Sequence, residues 1–143
     1  MRITTKGRYA LRATLALAQM GKNEEKVSIN TLSEDEEISS VFLEQIFFKL
    51  KKAGIVQSVR GPGGGFSFAR PLDSITVREI FIAAGEEMDV LPCDRSFNKC
   101  DRQSECISHQ VLVSVTDKAN SYLESLTLKS ILESGEFKPS AVK

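Results

Sequence analysis

Three cysteines and the single histidine are the residues whose chemistry stands out in this 143-residue sequence. They follow the pattern Cys93-x6-Cys100-x5-Cys106-x2-His109, in a stretch rich in Asp, Ser, Asn and Lys. A polar loop has no packing reason to hold three thiols. Three thiolates and one imidazole complete the ligands of a zinc ion, or those of a binuclear iron–sulfur cluster, in which imidazole can replace thiolate. Cys106 and His109 are three residues apart at the start of a predicted helix, so both side chains face the same way.

Other interpretations of these cysteines stay open at this point. The pattern approaches the Cys-Cys-Cys-His spacing of some RNA-binding zinc fingers, although its last gap is x2 rather than x3 and it lacks a Cys-x2-Cys knuckle. The thiols could also be free and reduced, with His109 as an ordinary helix-surface residue. A metal-free thiol enzyme or redox switch is the weakest alternative, because His109 is the one base close to the cysteines in sequence. We therefore expect a protein that is not an enzyme.

Length and composition indicate a folded, soluble domain. Hydrophobic residues make up 41% and charged residues 27% of the sequence, which is normal for a globular protein. A chain of this size buries a core without help from disulfides or a structural metal. No apolar stretch is long enough to span a bilayer, and no signal-peptide cleavage site is evident. We expect a cytoplasmic protein with no membrane partner, where three thiols indicate metal binding or redox activity.

Apolar residues at helical spacing predict three helices in the first third of the chain. The first runs from about Gly7 to Met20, and Ser28 is a good N-cap for a short second helix. Ser39 or Ser40 caps the third, whose apolar residues at i, i+3, i+4 and i+7 are Leu43, Ile46, Phe47 and Leu50. The segments IVQSV, RGPGGG and FSFA then predict a strand, a turn and a strand. This order is typical of a winged helix-turn-helix.

Two further elements follow the predicted wing. Thr76 and Glu79 form a capping box signature, which predicts a helix that stops near Gly85. A long helix of about twenty residues is predicted from apolar residues four apart, namely Ile107, Val111, Val115 and Ala119. Because so long a helix outgrows the core of a small chain, we expect it to pair with a second copy.

The predicted fold class is mainly α with a small β-wing: a winged helix-turn-helix domain plus a long dimerisation helix. We predict a DNA-binding domain over residues 1–85 and a cluster-binding loop over 86–106. The dimerisation helix and a C-terminal helix are predicted over 107–134, with a flexible tail over 135–143.

DNA contacts are expected from three places. The polar side of the third helix can read base edges in the major groove, the glycines of the wing turn let backbone approach DNA, and basic residues at the first helix suit phosphates. The predicted DNA-binding residues are Lys6, Arg8, Ser39, Ser40, Glu44, Gln45, Arg60, Gly61 and Gly63, and Arg12 also suits a phosphate contact. Taken alone, an amphipathic helix or a glycine-rich turn more often serves the fold than binds DNA, and winged helices also serve as protein-interaction modules. Their order in the chain favours DNA binding.

The charge distribution agrees with this placement, although the formal net charge is zero. Residues 1–80 hold 12 Lys and Arg against 9 Asp and Glu (+3), whereas residues 81–143 hold 7 against 10 (−3). The basic excess is modest, and it lies in the predicted DNA-binding part.

Three parts of the sequence resemble the IscR-type iron–sulfur winged-helix regulators, whose relatives include NsrR-type and RirA-type repressors. These parts are MRITTKGRYALRATLALA, LEQIFFKLKKAGIVQSVRGPGGG and the three cysteines, the last of which belongs to a Cys-x2-His motif. The resemblance covers Met1 to about Ser134. It implies a homodimer that binds double-stranded promoter DNA and responds to the state of an iron–sulfur cluster, with [2Fe-2S] favoured and [4Fe-4S] as the alternative.

The resemblance also implies roles for particular residues. Cys93, Cys100, Cys106 and His109 match the cluster ligands, Glu44 and Gln45 match base-reading positions, and Arg60 matches the wing arginine. Two features depart from the relatives. The first cysteine gap is x6 where x5 is expected, and no Asp or Glu precedes Glu24 to supply the acidic ligand of NsrR-type proteins. The second departure favours His109 as the fourth ligand.

Overall fold

The computed structural model of the chain describes residues 1–21, 26–89, 100–133 and 135. In these residues six α-helices, two strands and one 3-10 turn follow one another. They are α1 (Thr5–Met20), α2 (Ile29–Glu36), α3 (Ser40–Lys52), β1 (Val56–Val59), β2 (Gly65–Phe68), a 3-10 turn (Leu72–Ser74), α4 (Val77–Ala83), α5 (Ile107–Ser125) and α6 (Leu128–Glu133). The mainly α fold with a small wing is therefore as predicted.

Helices α1, α2 and α3 pack around the main hydrophobic core. Leu32 of α2 and Leu43, Phe47 and Leu50 of α3 are fully buried there. The Ser28 hydroxyl accepts a hydrogen bond from the Thr31 amide, which confirms the predicted cap of α2. Together α2, the turn after it and α3 form the predicted helix-turn-helix.

The wing is a two-stranded antiparallel sheet in which Val56 pairs with Phe68 and Val59 pairs with Gly65. Val27, which precedes α2, exchanges backbone hydrogen bonds of 3.0 and 2.9 Å with Phe66. At Gly65 a Cβ atom would lie 2.3 Å from the Val27 carbonyl oxygen. Only glycine lets the two backbones approach so closely, and this approach attaches the wing to the start of the helix-turn-helix.

Helix α4 begins at the predicted capping box. The Thr76 hydroxyl accepts from the Glu79 amide, and the Glu79 carboxylate accepts from the Thr76 amide. The helix ends at Ala83, close to the predicted stop. A second, smaller core lies beside it, formed by Val77, Phe81, Met88 and Leu126.

Helix α5 has the predicted length of about twenty residues, with 19. Thr116 is its one buried residue, so most of this helix lies outside the core. Among the described residues, no helix combines the length and apolar character needed to cross a membrane.

Helix α1 begins at Thr5, two residues before the predicted start. The difference has a tertiary cause, because the amides of Thr4 and Gly7 donate hydrogen bonds of 2.9 and 2.8 Å to the carboxylate of Glu86. A side chain about 80 residues away in sequence thus satisfies amides that a helix start leaves unpaired.

Candidate nucleic-acid interface and cysteine segment

Helix α3 presents a polar side opposite its buried side. Glu44 and Gln45 are exposed, while Leu43 and Ile46 on either side of them face the core. Ser39 and Ser40 lie at the start of the helix, with Ser39 at the N-cap position. All four predicted base-reading residues therefore lie on one helix of a helix-turn-helix, at or near its outward side.

The wing turn carries the predicted arginine and glycines. Arg60 is exposed and follows directly after β1. Gly61 and Gly63 have φ values of +128° and +69°, backbone conformations that side chains disfavour. The Lys51 ammonium donates a 2.9 Å hydrogen bond to the Ser58 hydroxyl, so α3 and the first wing strand are linked beside the turn.

Basic residues surround the start of α1, as the sequence predicts. Lys6 and Arg8 are exposed, and Arg8 donates to the Thr5 hydroxyl at 3.3 Å. Arg12 instead has partners inside the chain. It forms an ion pair with Glu36 at 3.3 Å and lies 5.4 Å from the centre of the Tyr9 ring. Lys6 and Arg8 are therefore the better placed of the three for phosphate contacts.

Further basic residues near this surface were not among the predicted contacts. Lys26 donates to the Pro62 carbonyl oxygen at 3.3 Å, so its ammonium lies at the tip of the wing. Lys49, Lys51 and Lys52 occupy the last turn of α3. The α3 lysines could have been found from the sequence, because they stand close together on one predicted helix. Lys26 could not, because it reaches the wing only through the pairing of Val27 with Phe66.

The cysteine segment is described in part. Cys93 lies outside the described residues. Cys100 is exposed, and Cys106 is half-buried at the N-cap of α5. The intervening residues form turns, in which the Gln103 amide donates to the Cys100 carbonyl oxygen at 3.2 Å. Within the residues that the structure describes, no three His, Cys, Asp or Glu side chains lie close enough together to hold a metal ion.

Cys106 has the surroundings of a reactive thiol. Its sulfur lies 3.2 Å from the Ser108 hydroxyl. Hydrogen bonds from that hydroxyl and from the His109 amide lower the pKa of the Cys106 thiol below its ordinary value. The ring of His109 is half-buried one turn into α5, with Nε2 3.4 Å from the Gln103 side-chain nitrogen. The start of α5 thus makes loss of the Cys106 thiol proton easier, and metal binding requires that loss.

A buried carboxylate joins the segment before the cysteines to the start of α1. Glu86 accepts hydrogen bonds from the Thr4 amide, the Thr4 hydroxyl and the Gly7 amide. Burial raises the pKa of Glu86, but the Thr4 and Gly7 hydrogen bonds outweigh it and the pKa is lowered overall. Sequence reasoning missed Glu86, because nothing local marks a residue that caps a helix so far away along the chain.

The segment that follows Glu86 has further partners. The Met1 ammonium donates to the Asp89 carbonyl oxygen at 2.8 Å, and the Asn120 side chain of α5 donates to the Met88 carbonyl oxygen at 3.2 Å. Residues 86–89 therefore contact both α1, where the basic residues lie, and α5, which begins directly after Cys106.

A helix-turn-helix followed by an antiparallel wing defines a winged-helix DNA-binding fold. Residues 3–134 match the family model of Rrf2, described as an iron-dependent transcriptional regulator. This chain therefore belongs to the Rrf2 family of transcription regulators, which confirms the resemblance seen in the sequence.

Individual relatives agree with this assignment. The chain is 41% identical over 133 residues to a Neisseria meningitidis serogroup A chain named as an HTH-type transcriptional regulator, covering 93% of this chain and 88% of the relative. It is 35% identical over 136 residues to the HTH-type transcriptional regulator IscR of Escherichia coli O1:K1 / APEC, covering 95% and 83%.

Solved structures with the same fold include two regulators. T. potens IscR has a TM-score of 0.74 and 33% identity, over 95% of this chain and 89% of that one. CymR, the global cysteine regulator of B. subtilis, has a TM-score of 0.71 and 25% identity, over 93% and 97%. These relatives are thus named as regulators.

Proposed function

We propose that this chain is a homodimeric transcription regulator that binds promoter DNA and senses iron–sulfur, redox or nitric-oxide status through a cysteine-ligated iron–sulfur cluster. The observation that carries the proposal is the position of Cys106. This residue, whose thiol pKa is lowered, occupies the N-cap position of the long exposed helix α5, and a segment close before the cysteines is bound to the start of α1.

The exposed face of α5 supports the homodimer. Large apolar side chains on this helix remain in contact with water although it packs against α4. They include Ile107 (75% exposed), Val111 (56%), Val115 (54%) and Tyr122 (41%). Spacings of four, four and seven residues place them along one side of the helix. A second copy offers a matching apolar face, and a two-fold axis suits paired DNA half-sites.

The DNA contacts that we propose follow the geometry of α3 and the wing. Ser39, Ser40, Glu44 and Gln45 approach base edges from α3, because a recognition helix lies in the major groove with its outward side against the bases. Arg60, with Gly61 and Gly63, contacts the neighbouring backbone or minor groove. Lys6 and Arg8 bind phosphates, which positions the protein without adding sequence preference.

Two variants separate base reading from phosphate binding. Gln45→Ala should weaken binding to an operator far more than binding to unrelated DNA, because a bidentate base contact is worth about 1–3 kcal/mol. Arg60→Ala should weaken binding and reduce the slope of affinity against salt concentration by about one if it contacts a phosphate. Equal losses of Gln45→Ala on both DNAs would contradict base reading.

The proposed cluster ligands are Cys93, Cys100, Cys106 and His109. Their chemistry fits an iron–sulfur cluster, because thiolate sulfur is its usual protein ligand and imidazole is an accepted substitute. Cys100 and Cys106 are free thiols, so neither is held in a disulfide. Three cysteines and one histidine favour a [2Fe-2S] cluster, and a [4Fe-4S] cluster is the alternative. The bound cluster would supply the response to oxidants, nitric oxide or iron supply.

Residues 86–89 offer a route from the cysteines to the DNA-binding surface. Glu86 holds the first turn of α1, where Lys6 and Arg8 lie, while Met88 is bound to Asn120 of α5. A change in the conformation of the cysteine segment would shift its anchors on both helices. The cysteine segment would then have one conformation with the cluster and another without it. The effect on DNA affinity can only be as large as the preference of the cluster for the first conformation over the second.

The first test is an absorption spectrum with iron, sulfide and zinc analysis of protein purified without oxygen. The proposal predicts a coloured protein with equal iron and sulfide, and loss of both from Cys106→Ala. Gln110→Ala is the matched control, because Gln110 is exposed on α5 one turn after Cys106 and is not among the proposed ligands. A colourless protein with stoichiometric zinc would instead indicate a zinc-stabilised nucleic-acid-binding module without a sensing role.

A further inference from the structure

Two large apolar side chains lie exposed on the outward side of α3. Val41 is 63% exposed and Phe48 is 66% exposed, more than any other large hydrophobic residue of the described chain except Ile107. Seven residues apart on a helix, they lie on nearly the same side and about 10.5 Å apart along its axis. The buried residues Leu43 and Leu50 lie on the other side. Neither exposed side chain therefore serves the core of its own domain.

Val41 and Phe48 share one surface with the proposed base-reading residues. A shallow depression of α3 is lined by Val41, Glu44, Gln45, Phe48 and Lys49. Gln45 lies one turn after Val41, and Phe48 lies one turn after Glu44, so apolar and polar groups alternate along the surface. Any molecule that binds here must offer apolar groups between hydrogen-bonding groups.

The charge around this surface indicates what covers it. Lys49, Lys51 and Lys52 occupy the last turn of α3, and the Lys51 ammonium is bound to Ser58 of the wing. A second copy placed face to face would bring six lysines together at a cost in repulsion. DNA supplies the complementary charge, since phosphates border both sides of the groove.

We propose that Val41 and Phe48 contact the C5-methyl groups of thymines in the major groove, and that they determine specificity together with Glu44 and Gln45. This inference rests on the proposed DNA binding. The thymine methyl is the one apolar substituent that unmodified bases present in the major groove, and apolar side chains are its natural partners. A phenylalanine in this position covers the methyl group and excludes water from the hydrogen bonds beside it.

Replacing thymine by deoxyuridine tests the inference, because the exchange removes the methyl group and leaves every hydrogen-bonding group in place. The full chain, purified without oxygen, selects its preferred site from a random duplex library, and each thymine of that site is then replaced singly. We expect at least one replacement in each half-site to weaken binding about three- to fivefold, the value of one buried methyl group.

Variants assign each methyl contact to a side chain. Phe48→Ala should lose the deoxyuridine effect at the thymine that Phe48 contacts and keep the effect at the thymine that Val41 contacts. Val41→Ala should show the opposite pattern. Phe48→Leu retains an apolar contact and should keep part of the effect. Ile82→Ala removes an exposed apolar side chain from α4 and should keep all of it. Both α3 side chains are exposed, so thermal unfolding of the variants should match that of the wild type.

The possible results distinguish this inference from the proposed function. A library that yields no preferred site would overturn DNA reading altogether. A preferred site that tolerates every deoxyuridine would overturn the methyl contacts alone, and so would a deoxyuridine effect that survives in both alanine variants. A change in the monomer–dimer equilibrium of Phe48→Ala without any deoxyuridine effect would show that the surface is a contact between copies of the chain.

Discussion

Replacing Gly7 by alanine should destabilise this protein, although alanine is the better helix former. In an exposed helix interior the change stabilises by about 1 kcal/mol. Here a Cβ atom on Gly7 would lie 2.7 Å from the Glu86 Oε1 atom and 2.8 Å from its Cγ atom. The Glu86 side chain would have to move away from the donors that it now caps.

The magnitude follows from the hydrogen bonds that such a movement breaks. Glu86 accepts from the Thr4 amide at 2.9 Å, from the Gly7 amide at 2.8 Å and from the Thr4 hydroxyl. Hydrogen bonds to a charged group contribute about 1.5–3 kcal/mol each. Loss of two of them at the lower value costs about 3 kcal/mol. After the helix-propensity gain, the free energy of unfolding should fall by about 2 kcal/mol.

Urea unfolding of the full chain, followed by circular dichroism, measures this loss. The control is the same substitution in a Glu86→Ala background, where no carboxylate opposes the new methyl group. There Gly7→Ala should be neutral or stabilise by up to about 1 kcal/mol, so the two changes should be strongly non-additive. If Gly7→Ala stabilises the wild-type chain, Glu86 does not hold the start of α1 in the way described.

Three further predictions concern other parts of the chain. Because the pKa of Glu86 is lowered in the folded state, its stabilising effect should be present above its unfolded pKa of about 4.3 and lost as the pH falls through the folded pKa. The stability difference between wild type and Glu86→Gln should therefore shrink below about pH 4, and a constant difference would contradict this. Gly65→Ala should cost several kcal/mol and detach the wing from Val27, because its Cβ would lie 2.3 Å from the Val27 carbonyl oxygen; unchanged thermal unfolding would refute it. Val115→Lys should convert the proposed dimer to monomer in sedimentation experiments without loss of helix content, since Val115 is 54% exposed on α5, and an intact dimer would place the interface elsewhere.

Local patterns in the sequence were sufficient for most elements of this fold. The helix-turn-helix, the wing and the long helix each follow from a signal within about twenty residues: apolar spacing, a glycine turn or a capping residue. The capping box of Thr76 and Glu79 is found as predicted, because both of its hydrogen bonds are made within one helical turn. The membership of the chain in a family of transcription regulators was likewise visible in its first segment, its wing and its cysteines.

Tertiary structure decided the features that depend on residues far apart in the chain. Glu86 caps α1 from 79 residues away in sequence, as seen in its bond to the Gly7 amide, and Lys26 reaches the wing tip through the pairing of Val27 with Phe66. No local pattern marks such contacts, because hydrogen bonds and packing depend on distance in space and not along the chain. The exposure of Phe48 belongs to the same class. The spacing of Phe48 from Leu43 and Leu50 places its side chain away from the buried side of α3. Whether another part of the domain covers that side chain depends on how the neighbouring elements pack, and none of the described elements covers it.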